Sequence, residues 1–155
     1  MDLDRIDRQI LSLLQNDCRI SNKELASAVG LAASTCFERV RKLREMKVLQ
    51  GWHARVDPEA LGIDLEAIVS IRLARHSREA VQAFQDHVES LPEVLAVYHI
   101  TGRQDFVLHV AVRDTDHLRD LTMDHFTTRE EVANIETSLI YESSRKFVLP
   151  DLGEP

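Results

Sequence analysis

The stretch RISNKELASAVGLAASTCFERVRKLR, residues 19–44, predicts two short helices joined by a tight turn. Ser21 and Glu24 have capping-box spacing, in which each side chain accepts a hydrogen bond from the other residue's backbone, so the first helix begins here. This helix ends at Gly30, because glycine readily adopts the left-handed conformation that follows a helix. The second helix is predicted over residues 33–46. One apolar stripe on it consists of Cys36, Phe37, Val40 and Leu43.

An amphipathic helix is predicted before these two, over residues 4–15. Its apolar side chains recur at a spacing of three and four and are Ile6, Ile10, Leu13 and Leu14. Three short helices with a glycine turn before the last form the layout of a helix-turn-helix, whose final helix enters the major groove of DNA. The sequence therefore predicts a DNA-binding domain over residues 1–50.

The last of the three helices carries the polar side chains that DNA is expected to meet. The early positions are expected to reach base edges, and the cations to reach phosphates or guanine. The predicted DNA-binding residues are Ser34, Thr35, Glu38, Arg39, Arg41, Lys42 and Arg44. The alternative is that the four cations only solvate a surface helix. Their occurrence together with the glycine turn favours DNA.

The distribution of charge agrees with this interpretation, although the whole chain has a net charge of -7. Residues 1–55 contain 10 basic and 7 acidic side chains, whereas residues 56–155 contain 9 basic and 19 acidic ones. One end of the chain is therefore suited to phosphate and the other is not. DNA binding should weaken steeply with salt, because each neutralised phosphate releases counterions.

The second half predicts a sheet domain. Residues 51–64 read as a linker: Leu49–Val56 resembles a strand, and Asp57-Pro58 with Gly62 marks a hinge. From residue 65 the order is β-α-β-β-α-β, as in ferredoxin-like sheets. The strands are expected at residues 67–73, 94–101, 105–112 and 133–141, and the helices at 78–90 and 116–126. The predicted fold is α+β, with a winged-type helix-turn-helix and a βαββαβ domain over residues 65–155.

Several classes of protein are disfavoured by the sequence. No apolar run is long enough to span a bilayer, and the first residues lack the pattern of a signal peptide, so a cytoplasmic location is expected. Cys18 and Cys36 do not have zinc-site spacing and are expected to be reduced thiols. The seven histidines include no H-x-x-x-H pair, and phosphate-loop and nucleophile-elbow motifs are missing. We therefore expect no metal, no cofactor and no catalytic residues.

The sequence resembles the leucine-responsive and asparagine-responsive regulators, the Lrp/AsnC family. The resemblance covers nearly the whole chain. It rests on Leu3-Asp4-x-x-Asp7, Ile10-Leu11-x-Leu13-Leu14, Arg19-Ile20-Ser21-Asn22-x-Glu24-Leu25-Ala26, Val29-Gly30-Leu31, Arg39-Val40-x-x-Leu43, Pro92-Glu93-Val94, Thr101-Gly102-x-x-Asp105 and Thr137-Ser138.

The chain departs from the family at two positions. Ala32 replaces a serine that usually caps the last helix, a loss of about 1 kcal/mol, and Ser34 is a candidate substitute cap. Lys47 replaces a glycine, so the turn is strained if it needs a positive φ.

The resemblance implies a C-terminal domain that forms homodimers and then larger assemblies, often octamers, with an amino-acid effector between subunits. By position, the implied effector-binding residues are Tyr98, His99, Thr101, Gly102, Arg103, Asp105, Phe106, Thr137 and Ser138. Gly102 offers backbone N–H groups and Arg103 a guanidinium to a carboxylate, and Asp105 offers a partner to an ammonium. The alternative is that Gly102 only makes the turn and that Asp105 pairs locally.

Three functions are thus open. The first is a sequence-specific transcriptional regulator that responds to an amino acid. The second is an architectural DNA-binding protein without an effector. The third follows from relatives with the same two-domain organisation that decarboxylate sirohaem, but the aromatic content of 5% and the basic third helix disfavour it.

Overall fold

The computed structural model describes residues 3–152, so residues 1–2 and 153–155 of the predicted domains lie outside the described chain. Two compact units are present. One contains the chain up to Arg55 together with the residues from Ser144 onward, and the other contains Val56–Ser143. The C-terminal residues from Ser144 thus belong to the first unit, whereas the sequence assigned them to the sheet domain.

The first unit contains α1 (Arg5–Asn16), α2 (Asn22–Ala28) and α3 (Ala33–Glu45). The predicted capping box is present: the Ser21 hydroxyl accepts from the Glu24 backbone N–H, and the Glu24 carboxylate accepts from the Ser21 N–H at 3.0 Å. Gly30 has φ +69°, which allows the tight turn between α2 and α3. The three predicted helices are confirmed.

The core of the first unit lies where these three helices meet. Its buried side chains are Ile10, Leu14, Leu25, Ala26, Val29, Cys36 and Leu43. The small side chain of Ala26 lets α2 and α3 approach closely. The expected apolar stripe on α3 is wrong at one position, because the Phe37 side chain is 57% exposed. Successive helical residues are 100° apart, so a residue next to buried Cys36 points away from the core.

The two residues that depart from the family, Ala32 and Lys47, lie at the two ends of α3. The helix starts at Ala33, because the Cys36 N–H already bonds the Ala32 carbonyl at 3.0 Å. No side chain caps this end. The expectation that Ser34 caps a later start is therefore wrong. At the other end Lys47 has φ +56°, the left-handed conformation that favours glycine.

The predicted strand Leu49–Val56 is not formed. The N–H groups of Val48 and Leu49 instead bond the Leu43 carbonyl, so the chain turns back on the end of α3. A strand needs a neighbouring backbone, and the described residues of this unit contain no second strand. The C-terminal residues pack on α1, where the Leu149 N–H donates to Gln15 Oε1 at 2.7 Å.

The second unit has the predicted order of elements. After a 3₁₀ turn (Glu59–Leu61), the elements are β1 (Leu65–Leu73), α4 (Arg78–Glu89), β2 (Val94–His99), β3 (Phe106–Val112), α5 (Thr115–Thr122) with a π-helical turn (Met123–Thr127), and β4 (Val132–Leu139). The strand order is β2-β3-β1-β4, and all neighbours are antiparallel. Crossover helices between non-neighbouring strands make this the predicted ferredoxin-like sheet.

Side chains alternate across the sheet, so each face has its own composition. The buried side chains of β1 and β3 include Ala67, Val69, Ile71, Leu73, Phe106, Leu108, Val110 and Val112, and they join Phe84 and Val88 of α4 in one core. We call the opposite side of the sheet the open face. It carries Ile68, Ser70, Val107 and His109, which are only partly buried.

Candidate functional site

The outward side of α3 is cationic but locally balanced. Arg41 donates to Glu38 at 2.6 Å and lies 3.5 Å from Glu45, one turn away on either side. Lys42 is exposed beside this group, and Ser34 and Thr35 are exposed in the first turn of the helix. Exposed ion pairs of this kind contribute little to stability, so Arg41 can exchange its carboxylates for another anion at low cost.

Arg44 is held in place by an aromatic side chain that sequence reasoning missed. Its guanidinium lies 4.2 Å from the centre of the Trp52 ring, and the Trp52 indole N–H donates to the Cys18 carbonyl at 3.1 Å. A cation over an aromatic ring keeps its N–H edges available for an anion. The available signal was that Trp52 is the single tryptophan of the chain and closely follows a basic helix.

Arg39 differs from the other predicted DNA contacts, because its guanidinium is bound within the protein. Its Nη1 donates to Asp4 at 2.6 Å and to Asp7 at 2.8 Å, and the side chain is 32% exposed. The two carboxylates raise the pKa of Arg39. The Asp7 N–H and the Arg39 guanidinium together lower the pKa of Asp4. Arg39 thus joins α3 to the start of α1.

The turn between β2 and β3 is open to solvent. Gly102 has φ +123°, and a Cβ built there would meet nothing within 4 Å, so the backbone conformation alone requires glycine. The Arg103 side chain is 83% exposed and lies 3.8 Å from Glu136 of β4, at the limit of an ion pair. Thr101 is exposed in the same turn. Thr101, Gly102 and Arg103 therefore form an exposed turn that carries a cation.

Asp105 is engaged within the unit. Its Oδ2 accepts from the Leu73 backbone N–H at 2.7 Å, and its Oδ1 lies 3.0 Å from His76 Nε2. The Asp105 backbone N–H also donates to the Ile71 carbonyl at 2.9 Å. Asp105 thus anchors the turn to the end of β1. This matches the local pairing considered as the alternative to ligand binding.

The remaining predicted effector residues lie on both faces of the sheet. Phe106 is fully buried, with His99 stacked on it at 4.8 Å between ring centres, so its side chain supports the turn and has no surface for a ligand. Thr137 pairs with core-facing Val69 and Ser138 with Ile68, so the two side chains point to opposite faces. Tyr98 shares the open face with Ser138. The nine residues therefore do not line one pocket within a single chain.

The geometry defines a class of protein: a helix-turn-helix DNA-binding protein with an attached ferredoxin-like domain. Family models agree, since the AsnC-type helix-turn-helix domain matches residues 3–44 and the Lrp/AsnC ligand-binding domain matches residues 66–147. The chain belongs to the Lrp/AsnC family of DNA-binding transcriptional regulators. None of the helices among residues 3–152 is both long and apolar enough to cross a membrane.

Individual relatives support the family assignment. The chain is 44% identical over 144 residues to the HTH-type transcriptional regulator AldR of Mycolicibacterium smegmatis, covering 93% of this chain and 84% of the relative. It is 37% identical to a leucine-responsive regulatory protein of Rhizobium meliloti, covering 90% and 89% of the two chains. A transcriptional regulator of Neisseria meningitidis, solved as an L-Met complex, is similar with a TM-score of 0.89 and 27% identity, covering 96% and 97%.

Proposed function

We propose that α3 is the helix that recognises DNA and that its outward side chains make the contacts. The observation that carries the proposal is the exposure of Arg41, Lys42 and Arg44 on the third helix of the first unit. Ser34, Thr35 and Glu38 are exposed nearer the start of α3 and face base edges, where a glutamate can accept from cytosine N4. Arg39 positions α3 and does not read bases.

The contacts to phosphate can be tested through their salt dependence. A duplex selected from a random library is titrated with the protein at several salt concentrations. Lys42→Ala should weaken binding and reduce the slope of log K against log salt by about 1. Arg119→Ala on α5 is the matched control, since this arginine pairs with Asp116 and Asp120 in the second unit. It should leave the DNA affinity and the salt slope unchanged. Equal affinity for every duplex would favour an architectural protein over a sequence-specific regulator.

We propose that the second unit binds an amino-acid effector at the turn Thr101–Arg103. The family model over residues 66–147 describes a ligand-binding domain, and the Neisseria relative was solved with L-Met. The Gly102 backbone and Arg103 are suited to an α-carboxylate. Asp105 already accepts from Leu73 and lies against His76, so its main role is to hold the turn, and its remaining lone pairs can accept from an α-ammonium. Tyr98, His99, Thr137 and Ser138 contribute from the neighbouring strands or from a second subunit, whereas buried Phe106 only supports the turn.

We also propose that the open face joins two copies of the chain, and that these dimers form a larger assembly such as an octamer. Ile68 and Val107 are partly buried on this face, with exposed Tyr98 and the polar Ser70 and His109 beside them. Apolar and aromatic side chains with polar groups beside them are the usual composition of protein–protein interfaces. Ile68→Asp should lower the mass measured by light scattering, whereas Arg119→Ala on α5, which packs on the opposite side of the sheet, should not.

Regulation requires that the amino acid prefer one assembly or one arrangement of the DNA-binding units, because equal affinity for both shifts nothing. Titration of the common amino acids, with DNA affinity and mass as readouts, tests this step. No change in either readout for any amino acid would overturn the effector proposal and leave the DNA-binding proposal intact. A regulator of this kind works in the cytoplasm and acts through binding, without a cofactor.

A further inference from the structure

Phe37 is the large apolar side chain of α3 that the fold leaves in water. Its ring is 57% exposed, whereas its neighbour Cys36 is fully buried in the core. Burying an aromatic side chain contributes favourably to folding, and Phe37 forgoes most of this gain. Phe37 lines the same surface cavity as Arg41, Arg44 and Trp52, so its ring lies on the cationic side of α3.

The partner is indicated by the residues that share the side of α3 with Phe37. We call this set the reading stripe: it consists of Ser34, Phe37, Arg41 and Arg44, at successive spacings of three, four and three. A hydroxyl and a ring thus lie in line with two guanidinium groups. Arg44 lies over Trp52 and Arg41 pairs with Glu38 and Glu45, and both arginines line the same cavity as Phe37.

A surface of this composition fits the major groove of DNA. Guanidinium groups pair with phosphates or guanine, and an apolar side chain packs against the methyl group at C5 of thymine. Ala32 and Ala33 are small and exposed before the stripe, so the start of α3 can approach the base edges closely. No other base carries an apolar group in the groove, so the ring selects thymine.

We propose that Phe37 packs its ring against a thymine methyl group in the major groove and is a specificity-determining residue of this regulator. The inference rests on the proposed function that α3 meets DNA. It goes beyond that function because it assigns base selectivity to an apolar side chain that the charge pattern does not point to.

The experiment compares thymine with uracil, which differs in lacking the C5 methyl. A duplex selected by the wild-type protein is prepared with each thymine replaced by deoxyuridine, first all together and then singly. The wild type should bind the duplex about fourfold more weakly when the methyl is removed at the contacted position. Phe37→Ala should bind both duplexes equally and about as weakly as the wild type binds the uracil duplex. Phe37→Leu should retain part of the difference.

Phe147→Ala is the matched control, because Phe147 is also exposed, at 59%, and belongs to the same unit. It should keep the full preference for thymine. Thermal unfolding verifies that all three variants fold. The inference is overturned if uracil weakens the wild type and Phe37→Ala equally, or weakens neither. It is also overturned if Phe37→Ala alters only the mass of the assembly, since the ring then serves a subunit contact. Failure to select any duplex would overturn the proposed function itself.

Discussion

Arg39 of α3 and Asp4, the residue that caps α1, form an ion pair at 2.6 Å although 35 positions separate them in the chain. Asp4 also accepts from the Asp7 N–H at 2.8 Å, and Asp7 is the second carboxylate on Arg39. One guanidinium thus links the cap of the first helix to the middle of the third. The guanidinium is thus bound within the first unit, between α1 and α3.

Replacing Arg39 should therefore affect the first unit more than replacing its neighbour Arg41. Arg39→Ala leaves two carboxylates facing each other, and we expect the melting temperature of the first unit to fall by roughly 5 °C. Arg41→Ala removes only exposed pairs along α3, so it should leave the melting temperature unchanged and weaken DNA binding. Calorimetry and DNA titration of both variants measure this. Equal melting temperatures would show that Arg39 is not a structural link.

The first unit should lose stability in acid through two carboxylates. The Asp7 N–H, together with Arg39, lowers the pKa of Asp4, and Ser21 lowers the pKa of Glu24. A lowered pKa in the folded state gives stability that is present above the ordinary value near 4 and is lost as the pH falls through the folded pKa. Urea unfolding from pH 6 to pH 2.5 should show this decline. Asp4→Asn with Glu24→Gln should flatten it, and an unchanged profile would contradict the assignment.

The elements of the fold were predictable where local chemistry decides them. The capping box at Ser21 and the turn at Gly30 set the limits of α2 from short-range interactions, and alternation of apolar side chains set β1. Leu49–Val56 is also strand-like in sequence but forms no strand, because pairing depends on a neighbouring backbone that sequence alone does not locate. The local sequence pattern thus predicts which secondary structure a segment favours. It does not predict whether a second strand lies beside that segment.

The candidate sites were predictable only in part, for a related reason. The sequence identifies Arg39 as a cation on α3, but its carboxylate partners come from a distant helix. Phe37 was assigned to the apolar stripe because it is apolar, yet its helical position turns it outward. Thr137 and Ser138 are adjacent in the chain, and strand alternation places them on opposite faces. Side-chain direction and long-range pairing therefore limited the prediction of function.

The uncapped start of α3 should be improvable by one hydroxyl. Ala32 has the extended conformation of a cap, φ -65° and ψ 145°, but offers no side-chain acceptor. Ala32→Ser should stabilise the first unit by about 1 kcal/mol, because serine accepts from the free N–H groups of the first turn. Ala33→Ser, one position later and already helical, is the control and should not stabilise. Denaturant unfolding measures the free energy of unfolding of both variants. Equal stabilisation by the two serines would exclude capping as the cause.

The backbone of Lys47 should store strain in the first unit. Its φ of +56° is the single left-handed conformation of a non-glycine residue among residues 3–152. Lys47→Gly should stabilise the first unit by about 0.5–1 kcal/mol, because relief of strain exceeds the added freedom of the unfolded chain. Lys47→Ala removes the same charge but keeps the Cβ, so it should show no gain. If denaturant unfolding shows the same gain in stability for both variants, the gain comes from removal of the charge.

The second unit should become less stable in mild acid because of His87. Burial, with the nearby Arg129 and His125, lowers the pKa of His87, while a bond to the His125 carbonyl at 3.0 Å and the charge of Glu131 oppose the shift. A histidine with a lowered pKa takes up a proton more readily when unfolded, so stability should fall as the pH drops below about 6.5. His87→Gln keeps a donor for the His125 carbonyl and should weaken this dependence, whereas His53→Gln, at an exposed residue of the first unit, should not. Urea midpoints between pH 7.5 and 5 measure the difference, and parallel profiles for wild type and His87→Gln would show that the proton binds elsewhere.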